Sequence, residues 1–573
     1  MRLLFLQRII AGSLVLIWTG LFSLQILQGS EFRHQAEKNR IRLIHLPAAR
    51  GTILDRHGSP LAEDRLSFEL SIFPQDLNEP AETWNHLESL LGISAKELSQ
   101  RYRKGYQGPF APVPLIRSLP PKIAFLLEEK RSELPGVLVR PVPRRFYIDG
   151  SALGPVAGYL GLIAPEELTH LKSYGYTFRD LVGKDGLEKQ YDSILRGRDG
   201  GIQVEVDNRG RLVRQLGFLV PQRGRAITTS LDGRIQAFCH HLLEGGSGAI
   251  VVMDLNTGGL LALASSPSFD PNAFMDPYRE LEVRAALHGT DRPMFNRAIR
   301  SAIPPGSIFK PAVAYAALKD QRIRPDTTFV CPGFFQLGRG LFRCWKEDGH
   351  GPQTVTEALE HSCNVFFYHT GRRLGRERIA QIARFFGLGS ATGIDLPRES
   401  KGFVPDTEGM KASAERTWQE GDTISFSIGQ GPLLVTPLQM LVLISTIALD
   451  GKVLRPHLFV EAEGEKRKPL PPPAKIPLDP ETLRVVKIGL EQVVASPTGT
   501  GRLAQLRGLR VAGKTGTAQT PRGLPHAWFL GFAPSEHPKV SFVVFLEHGG
   551  KGGLSAALVA RDLLAYLKEV EVL

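Results

Sequence analysis

The sequence predicts a multidomain α+β protein with an N-terminal transmembrane helix, an elongated β-rich domain and a C-terminal α/β domain. Three observations predict this class. An uncharged apolar stretch lies near the N-terminus, short strand patterns recur up to residue 227, and apolar strands at both ends of residues 228–573 enclose helical patterns. The 573 residues, of which 42% are hydrophobic, supply enough apolar side chains for more than one core.

The apolar stretch Ile9–Ser30 contains no charged residue, and about 20 apolar residues are needed to cross a bilayer core. A cleaved signal peptide would have a shorter apolar region and a small-residue cleavage site, which LQGSEF does not resemble. A buried helix of a soluble protein would show a polar face, which this stretch lacks. Because Arg2 and Arg8 precede it, we expect residues 1–8 in the cytoplasm, an uncleaved anchor at 9–30 and the remainder outside.

The charge of the chain indicates a membrane or wall environment. The formal net charge is +12, with Lys and Arg spread along the whole sequence. A nucleic-acid-binding protein usually concentrates such charge in a stripe with interleaved aromatic residues. The diffuse charge therefore argues against nucleic acid as a partner and favours attraction to an anionic membrane surface or cell wall.

Residues 31–227 are predicted to form a non-catalytic pedestal domain. The mixed polar pattern of residues 31–48 predicts a helix leaving the membrane. PAARGTILDRHGSPLAED predicts a strand, a turn at His57-Gly58 and a second strand, and GGIQVEVDNRGRLVRQLG predicts a hairpin turning at Asn208-Arg209-Gly210. The region contains no Ser/His/Asp or metal-like cluster, so we expect it to carry no chemistry.

Residues 228–573 are predicted to form an α/β domain. GAIVVMDLNTGGLLALASS predicts a buried hairpin, apolar strands follow at 526–533 and 539–547, and SAALVARDLLAYLKEV predicts a C-terminal amphipathic helix. Strands at both ends with helices between them predict a sheet that joins the beginning of the domain to its end.

The first chemical motif is PPGSIFKP. The Pro-Pro-Gly turn is followed by a helical pattern in which Ser307 and Lys310 are three residues apart and share one face of the first turn. A serine hydroxyl becomes a nucleophile when a neighbouring base takes its proton, and a lysine can do this if burial lowers its pKa. Alone, S-x-x-K is a weak signal, because a capping serine and a solvated lysine produce the same pattern.

Two further motifs strengthen the first. HSCNVFFY supplies Ser362 and Asn364 as S-x-N, and VAGKTGTAQ supplies K-T-G-T in a strand-like context as Lys514, Thr515, Gly516 and Thr517. Each alone is compatible with a polar turn. S-x-x-K, an S-x-N element and K-T-G, in that order, are the signature of serine enzymes that react with penicillins.

With their surroundings these motifs resemble class B penicillin-binding proteins, and among them the elongation type, penicillin-binding protein 2. The resemblance covers nearly the whole chain and includes RFYIDGSALGPVAGYLG, GLEKQYDSILRG, SSPSFDPNAF, IPPGSIFKP, SIGQGPLLVTPLQM and KTGTAQ. It implies a penicillin-binding/serine β-lactamase-like transpeptidase domain at 228–573 on a dimerisation-type pedestal at 31–227. The division type shares the three motifs, but CPGFFQLG and SCNVFFY favour the elongation type. We see no sign of a glycosyltransferase domain, as expected of class B.

The resemblance implies a D,D-transpeptidase that cross-links peptidoglycan stem peptides and is acylated by β-lactams. Ser307 would attack the penultimate D-alanine, Lys310 would accept its proton, Ser362 would relay a proton to the leaving amine, and Asn364 would hold the peptide. Lys514–Thr517 would bind the terminal carboxylate, and the backbone N–H groups of the nucleophile and the last threonine would form an oxyanion hole.

The resemblance also implies the setting of this reaction. It implies a single-pass protein of the inner membrane with a periplasmic catalytic domain, active in lateral wall elongation and cell-shape maintenance. The partners implied are a SEDS-type (RodA-type) polytopic glycosyltransferase and other elongation-complex proteins. No cofactor is expected for catalysis.

Other functions fit the same motifs less well. An inactive scaffold would not need Ser307, Lys310 and Lys514, and a penicillin sensor would need a cytoplasmic signalling domain. A structural membrane protein that binds partners through the pedestal is compatible with catalysis. A β-lactamase needs a base that activates water, but Glu399 and Glu420 lie in no recognisable pattern. Transfer is therefore favoured, and a hydrolytic D,D-carboxypeptidase is the alternative.

Three of the four cysteines, Cys331, Cys344 and Cys363, cluster in the sequence around His350, and the fourth is Cys239. A Cys3His set is a normal structural zinc set, although these spacings exceed those of zinc fingers. In an oxidising compartment a Cys331–Cys344 disulfide is an alternative, and free thiols are another. Zinc is favoured because it uses all three cysteines and because GHG places the histidine on a turn.

Overall fold

The computed structural model describes residues 2–32, 41–77, 79–106, 108, 112–177, 180–206, 212–405, 418–465, 472–521 and 523–573. Two compact units are present. The pedestal unit comprises Met1–Gly51, Asp64–Arg144 and Arg196–Gly224, and the C-terminal unit comprises Thr52–Glu63, Arg145–Leu195 and Arg225–Leu573. The C-terminal unit thus includes two segments that precede residue 228 in the sequence.

Specific contacts explain why these early segments belong to the C-terminal unit. The strand Ile53–Leu54 pairs in parallel with Ile227–Thr229. Gln236 donates a hydrogen bond to the Ala152 carbonyl at 2.7 Å and accepts one from the Leu263 backbone N–H at 2.8 Å. A buried glutamine whose donor and acceptor are both satisfied fixes the position of each partner.

The N-terminal helix Arg2–Phe22 continues as a π-helical turn, Ser23–Leu27. The segment Phe5–Leu27 has a mean hydropathy of 1.9 and is long and apolar enough to cross a membrane. This candidate span overlaps the predicted anchor at 9–30 and starts earlier, since the helix continues through Arg8. A long arginine side chain near the end of a span can extend its charge to the interface.

The pedestal unit contains two sheet regions. In the first, Gly200–Val206 lies between Ile41–Leu46 and Leu212–Leu219, and both pairings are antiparallel. The predicted hairpin is therefore present, although its turn at Asn208-Arg209-Gly210 lies outside the described residues. The helix predicted for residues 31–48 is wrong at Ile41–Leu46, because this segment forms a strand; residues 33–40 lie outside the described residues.

The second sheet region of the pedestal unit packs against helices. The portion of Pro60–Ile72 from residue 64 onward pairs antiparallel with Val113–Leu119, and Val137–Tyr147 pairs with the same strand. The helices are Pro80–Leu91, Ala95–Gly105 and Pro121–Glu129. Fully buried Leu70, Leu87 and Leu98 lie in the core between strands and helices.

The centre of the C-terminal unit is a five-stranded antiparallel sheet in the order β2-β1-β5-β4-β3. Its strands are β1 (Gly248–Asp254), β2 (Leu260–Ser266), β3 (Ala512–Ala518), β4 (His526–Ala533) and β5 (Val540–Leu546). The first two strands of the domain thus pair with the last three, as predicted. The K-T-G-T motif lies on β3, an edge strand.

Hydrophobic cores cover both faces of this sheet. Along β1, Ala249, Val251 and Met253 pack into one core, and Ile250 and Val252 pack into the other. This alternation follows the two-residue period of a strand and explains why strands buried on both faces are apolar throughout.

The C-terminal unit also contains helices outside the central sheet. They are Gly150–Ala157, Pro165–Leu171, Gly186–Gln190, Asp192–Leu195, Gly233–His241, Glu280–His288, Arg297–Arg300, Lys310–Lys319, Val355–Glu360, Asn364–Leu374, Arg376–Phe385, Glu420–Ser427, Pro437–Ala448, Pro480–Ala495 and Ser555–Glu569. The short strands are Ile53–Leu54, Leu160–Leu162, Leu181–Gly183, Ile227–Thr229, Phe329–Cys331, Phe334–Leu337, Gly340–Arg343, Gly351–Gln353, Lys452–Val453, Phe459–Ala462 and Ala474–Lys475.

Candidate active site

The S-x-x-K motif lies where a 3-10 turn, Gly306–Phe309, continues into the helix Lys310–Lys319. In a 3-10 turn residues three apart eclipse one another, so Ser307 and Lys310 share one side of the segment. The serine is partly exposed, whereas the lysine is fully buried. The turn therefore presents a hydroxyl that a ligand can reach, next to an amine shielded from water.

The second motif holds the Lys310 amine. Its Nζ donates to Asn364 Oδ1 at 2.7 Å and to the Ser362 carbonyl at 2.8 Å, and lies 3.4 Å from Ser362 Oγ. Burial lowers the pKa of Lys310 to about 8. Among the described residues, Ser307 makes no hydrogen bond to this amine.

Ser362 adopts the left-handed backbone conformation with φ 53°, which is uncommon for a residue other than glycine. It lies between the helices Val355–Glu360 and Asn364–Leu374 and is 5% exposed. The backbone N–H of Ser362 donates to the Leu359 carbonyl. A strained residue held in this way, next to a buried amine, is typical of functional sites.

The third motif approaches the serine turn through Gly516 on β3. A Cβ at this position would lie 2.9 Å from Ile308 Cγ2 and 3.1 Å from the Pro305 carbonyl oxygen. At Gly306 (φ +59°), a Cβ would lie 2.9 Å from the Thr517 carbonyl oxygen. These glycines allow the edge strand and the serine turn to come into backbone contact.

The other K-T-G-T side chains make local hydrogen bonds. Lys514 is fully buried and donates to the Thr515 carbonyl at 3.0 Å. Burial, followed by the charge of Lys310, holds the pKa of Lys514 well below its usual range. Thr515 Oγ1 donates to Thr500 Oγ1 at 2.9 Å, and Thr517 Oγ1 accepts from the Gly552 backbone N–H at 3.2 Å. The structure thus brings all three motifs to one place in the C-terminal unit.

The Cys/His residues form a second cluster that adjoins the S-x-N motif through Cys363. The candidate ligand atoms of Cys331, Cys344, His350 and Cys363 all lie within 4.8 Å of one another. His350 Nδ1 lies 3.6 Å from Sγ of both Cys331 and Cys344. A tetrahedral zinc ion, with bonds of about 2.3 Å to sulfur and about 2.0 Å to nitrogen, places such atoms roughly 3.5 Å apart.

The spacing of these donor atoms is compatible with a tetrahedral metal site. The four cysteines are not paired in disulfides. Gly349 has φ +79°, and a Cβ there would lie 2.1 Å from the Cys331 carbonyl oxygen. The glycine before His350 thus permits the tight approach that directs the imidazole towards the thiols.

Comparisons with known proteins decide the family. The penicillin binding protein transpeptidase domain matches residues 248–565, and the penicillin-binding protein dimerisation domain matches residues 45–229. The chain belongs to the penicillin-binding proteins. The peptidoglycan D,D-transpeptidases MrdA of Haemophilus influenzae and Escherichia coli K12 are each 33% identical to it. The alignments cover 96% and 98% of this chain and 89% and 94% of those relatives.

Solved structures point to the elongation type. Helicobacter pylori PBP2 in complex with MreC is 30% identical with a TM-score of 0.82, covering 93% of this chain and 100% of that one. Pseudomonas aeruginosa PBP2 in complex with WCK 5153 is 28% identical with a TM-score of 0.70, covering 92% and 97%. The resemblance to penicillin-binding protein 2 is confirmed, as is the fold class of a pedestal and a transpeptidase domain.

Sequence reasoning missed several residues of this penicillin-binding protein that contact the motifs. Thr500 bonds to the third motif, and Gly429 and Gln430 contact the serine turn and β3. In the sequence, the segment SIGQGPLLVTPLQM is distinguished only by its part in the family resemblance. Its closely spaced glycines were the available signal, because such glycines often mark a close backbone approach.

Proposed function

We propose that the protein is a peptidoglycan D,D-transpeptidase that cross-links stem peptides through a serine acyl-enzyme during lateral wall elongation. The observation that carries this proposal is the convergence of Ser307, Lys310, Ser362 and the K-T-G-T strand around one partly exposed hydroxyl. The MrdA relatives, named as peptidoglycan D,D-transpeptidases, support the same reaction.

The acylation step follows from the arrangement of the motifs. Ser307 Oγ attacks the carbonyl carbon of the penultimate D-alanine, and neutral Lys310 accepts the hydroxyl proton. The backbone N–H groups of Ser307 and Thr517 stabilise the oxyanion, each contributing on the order of 3–4 kcal/mol. The C–N bond then breaks as Lys310 passes the proton it has accepted through Ser362 to the leaving nitrogen, so that D-alanine departs and a serine ester remains.

Burial and hydrogen bonding both prepare Lys310 to act as a base. Burial disfavours its charged form, and the accepting oxygens of Ser362 and Asn364 orient its Nζ. In this proposal Lys514, Thr515 and Thr517 bind the terminal carboxylate of the donor peptide. Asn364 is the candidate partner for the peptide amide. No cofactor enters these steps.

In the second step an amine of a neighbouring stem peptide attacks the ester carbonyl, the acyl C–O bond to Ser307 breaks, and Lys310 transfers the amine proton to the Ser307 oxygen, which leaves the amide cross-link. Hydrolysis by water, as in a D,D-carboxypeptidase, is the alternative. The two glutamates considered as water-activating bases are engaged elsewhere: Glu399 accepts from the Thr392 backbone N–H, and Glu420 pairs with Arg372. This arrangement favours transfer to an amine.

A donor–acceptor assay distinguishes transfer from hydrolysis. With a stem pentapeptide donor and an amine acceptor, we expect release of D-alanine and formation of the amide-linked product, because the ester persists until an amine reaches it. Mass spectrometry quantifies both products. Release of D-alanine without acceptor incorporation, even at saturating amine, would instead identify a carboxypeptidase.

We also propose that Cys331, Cys344, His350 and Cys363 hold a structural zinc ion. The support is the donor spacing described above and the position of Cys363 inside the S-x-N motif. A bound zinc ion would supply folding free energy by tying the strand segments before the motif to the start of the helix Asn364–Leu374. It would have no role in the chemical steps.

Metal analysis tests the zinc proposal. Protein purified without chelator is expected to contain close to one zinc per chain, and Cys344→Ser is expected to lose the metal and melt at a lower temperature. Cys239→Ser is the matched control, since Cys239 is a buried thiol outside the cluster, and it should retain the metal. Less than a few tenths of a zinc per chain, together with unchanged folding of Cys344→Ser, would end the idea.

The cellular setting is proposed from the apolar helix and the relatives. We propose a single-pass inner-membrane protein whose catalytic domain is periplasmic, since Arg2 and Arg8 favour a cytoplasmic N-terminus. We also propose elongation-complex partners that include a SEDS-type polytopic glycosyltransferase. Support comes from the structural matches to a PBP2–MreC complex and to a peptidoglycan synthase complex, the latter 32% identical with a TM-score of 0.73.

A further inference from the structure

We propose that Gly429 and Gln430 act as a clamp that fixes the distance between the two oxyanion-hole donors, making Gln430 a positioning residue for acylation. The inference rests on the proposed function and names residues to which that function assigns no role. It is carried by two hydrogen bonds, one to each side of the site, that start from adjacent residues of one segment.

The first contact joins the clamp to the serine turn. The Gly306 backbone N–H donates to the Gly429 carbonyl at 2.9 Å, directly before the nucleophile Ser307. Gly429 has φ +74°, and a Cβ there would lie 2.2 Å from the Gly306 carbonyl oxygen. The contact is therefore backbone against backbone, and any side chain at this position would push the serine turn away.

The second contact joins the clamp to the edge strand. Gln430 Nε2 donates to the Thr517 carbonyl at 3.2 Å. In an antiparallel strand the N–H and the C=O of one residue point to the same side. The Thr517 carbonyl accepts from Gln430, and the Thr517 N–H is expected to stabilise the oxyanion. Both groups thus lie on the same side of β3. That side faces the serine turn, because the Thr517 carbonyl oxygen lies close to Gly306.

The clamp is itself anchored. The Gln430 backbone N–H donates to the Ser425 carbonyl at 3.0 Å, in the helix Glu420–Ser427. In the same helix, Ser427 Oγ donates to the Phe367 carbonyl at 2.9 Å, in the helix that follows the S-x-N motif. This support matters for β3 because, among the described residues, β3 is hydrogen-bonded to a neighbouring strand along one edge only.

The clamp affects the free energy of the acylation transition state. Oxyanion donors contribute fully only when they lie about 2.7–3.1 Å from the developing charge, and a misplacement of about 1 Å can cost roughly 100-fold in rate. Loss of the Gln430 donor would free β3 to relax away from the serine turn. This would weaken stabilisation of the transition state and leave ground-state binding nearly unchanged.

The test uses the full-length protein and rapid-mixing kinetics with a chromogenic or fluorescent β-lactam. Gln430→Met keeps the side-chain length but removes the donor, and Gln430→Asn keeps an amide that is too short to reach β3. For both variants we expect the acylation rate constant to fall about 10- to 100-fold. The non-covalent dissociation constant should change less than about threefold, and the final labelling should stay near one per folded chain.

The matched control is Gln439→Met. Gln439 is a buried glutamine that donates to the Ser390 and Lys401 carbonyls, each at 2.8 Å, and it has no contact with the motifs among the described residues. We expect it to lower the melting temperature and to leave the acylation rate constant unchanged. This control separates a loss of stability from a loss of positioning.

Three outcomes overturn the proposal. They are a wild-type acylation rate in both Gln430 variants, a fall in labelling yield at an unchanged rate, and an equal loss of rate in Gln439→Met. Failure of the wild-type protein to form a β-lactam adduct would instead refute the proposed function.

Discussion

Ser307→Ala is expected to abolish covalent labelling by a fluorescent penicillin while the protein remains folded. In the proposed mechanism the β-lactam carbonyl is trapped as an ester of this hydroxyl, so the variant lacks the group that would hold the label. Removing the nucleophile of a serine enzyme typically costs on the order of 10⁶ in rate. Gel fluorescence after incubation with the probe, with circular dichroism of the same sample, measures label and fold together.

Ser301→Ala is the matched control for this experiment. Ser301 precedes the serine turn in the chain, at the C-terminal end of the helix Arg297–Arg300, and is 5% exposed. We expect it to label like the wild type. A stable adduct on Ser307→Ala would show that another residue is the nucleophile and would contradict the mechanism.

Glu188→Ala is expected to lower the free energy of unfolding by about 3–5 kcal/mol, because it breaks a buried ion pair. Glu188 Oε1 lies 2.6 Å from Arg145 Nε, and their side chains are 0% and 1% exposed. The Tyr147 hydroxyl donates to the same oxygen at 3.3 Å. Removing the carboxylate breaks a fully buried ion pair, which costs far more than a surface ion pair contributes.

Urea unfolding followed by tryptophan fluorescence measures this effect. The matched control is Glu280→Ala, which removes an exposed i,i+4 pair with Arg284 whose side chains are 64% and 69% exposed. We expect the control to cost less than about 0.5 kcal/mol. A similar small loss for Glu188→Ala would mean that the buried Arg145–Glu188 pair does not stabilise the fold of the segment Arg145–Leu195.

The wrong helix prediction at Ile41–Leu46 shows where a local sequence pattern is insufficient to predict secondary structure. This segment was predicted to be helical, yet it forms a strand because it pairs with Gly200–Val206, far away in the chain. The hydrogen bonds of a strand are made to another segment, whereas those of a helix are made within itself. A segment of mixed pattern therefore takes the structure that its distant partner imposes.

The segments Thr52–Glu63 and Arg145–Leu195 show that local sequence patterns do not predict which unit a segment belongs to. The pattern of the first segment predicted strands, and the structure contains strands there. The assignment of both segments to the C-terminal unit depends on the pairing of Ile53–Leu54 with Ile227–Thr229 and on the hydrogen bond from Gln236 to the Ala152 carbonyl. Such contacts join residues that no spacing rule connects.

The sequence alone determined which chemistry is proposed for this protein: a candidate serine nucleophile with a lysine neighbour, S-x-N and K-T-G-T partners, an apolar candidate membrane helix, and a sheet built from both ends of one domain. Residue type and short-range periodicity encode these features directly. Only the tertiary structure decided which groups meet, namely that the second motif holds Lys310, that Gly516 and Gly306 bring β3 onto the serine turn, and that Gln430 spans the two. Distances between residues remote in the chain depend on the packing of the whole core, and no local segment carries that information.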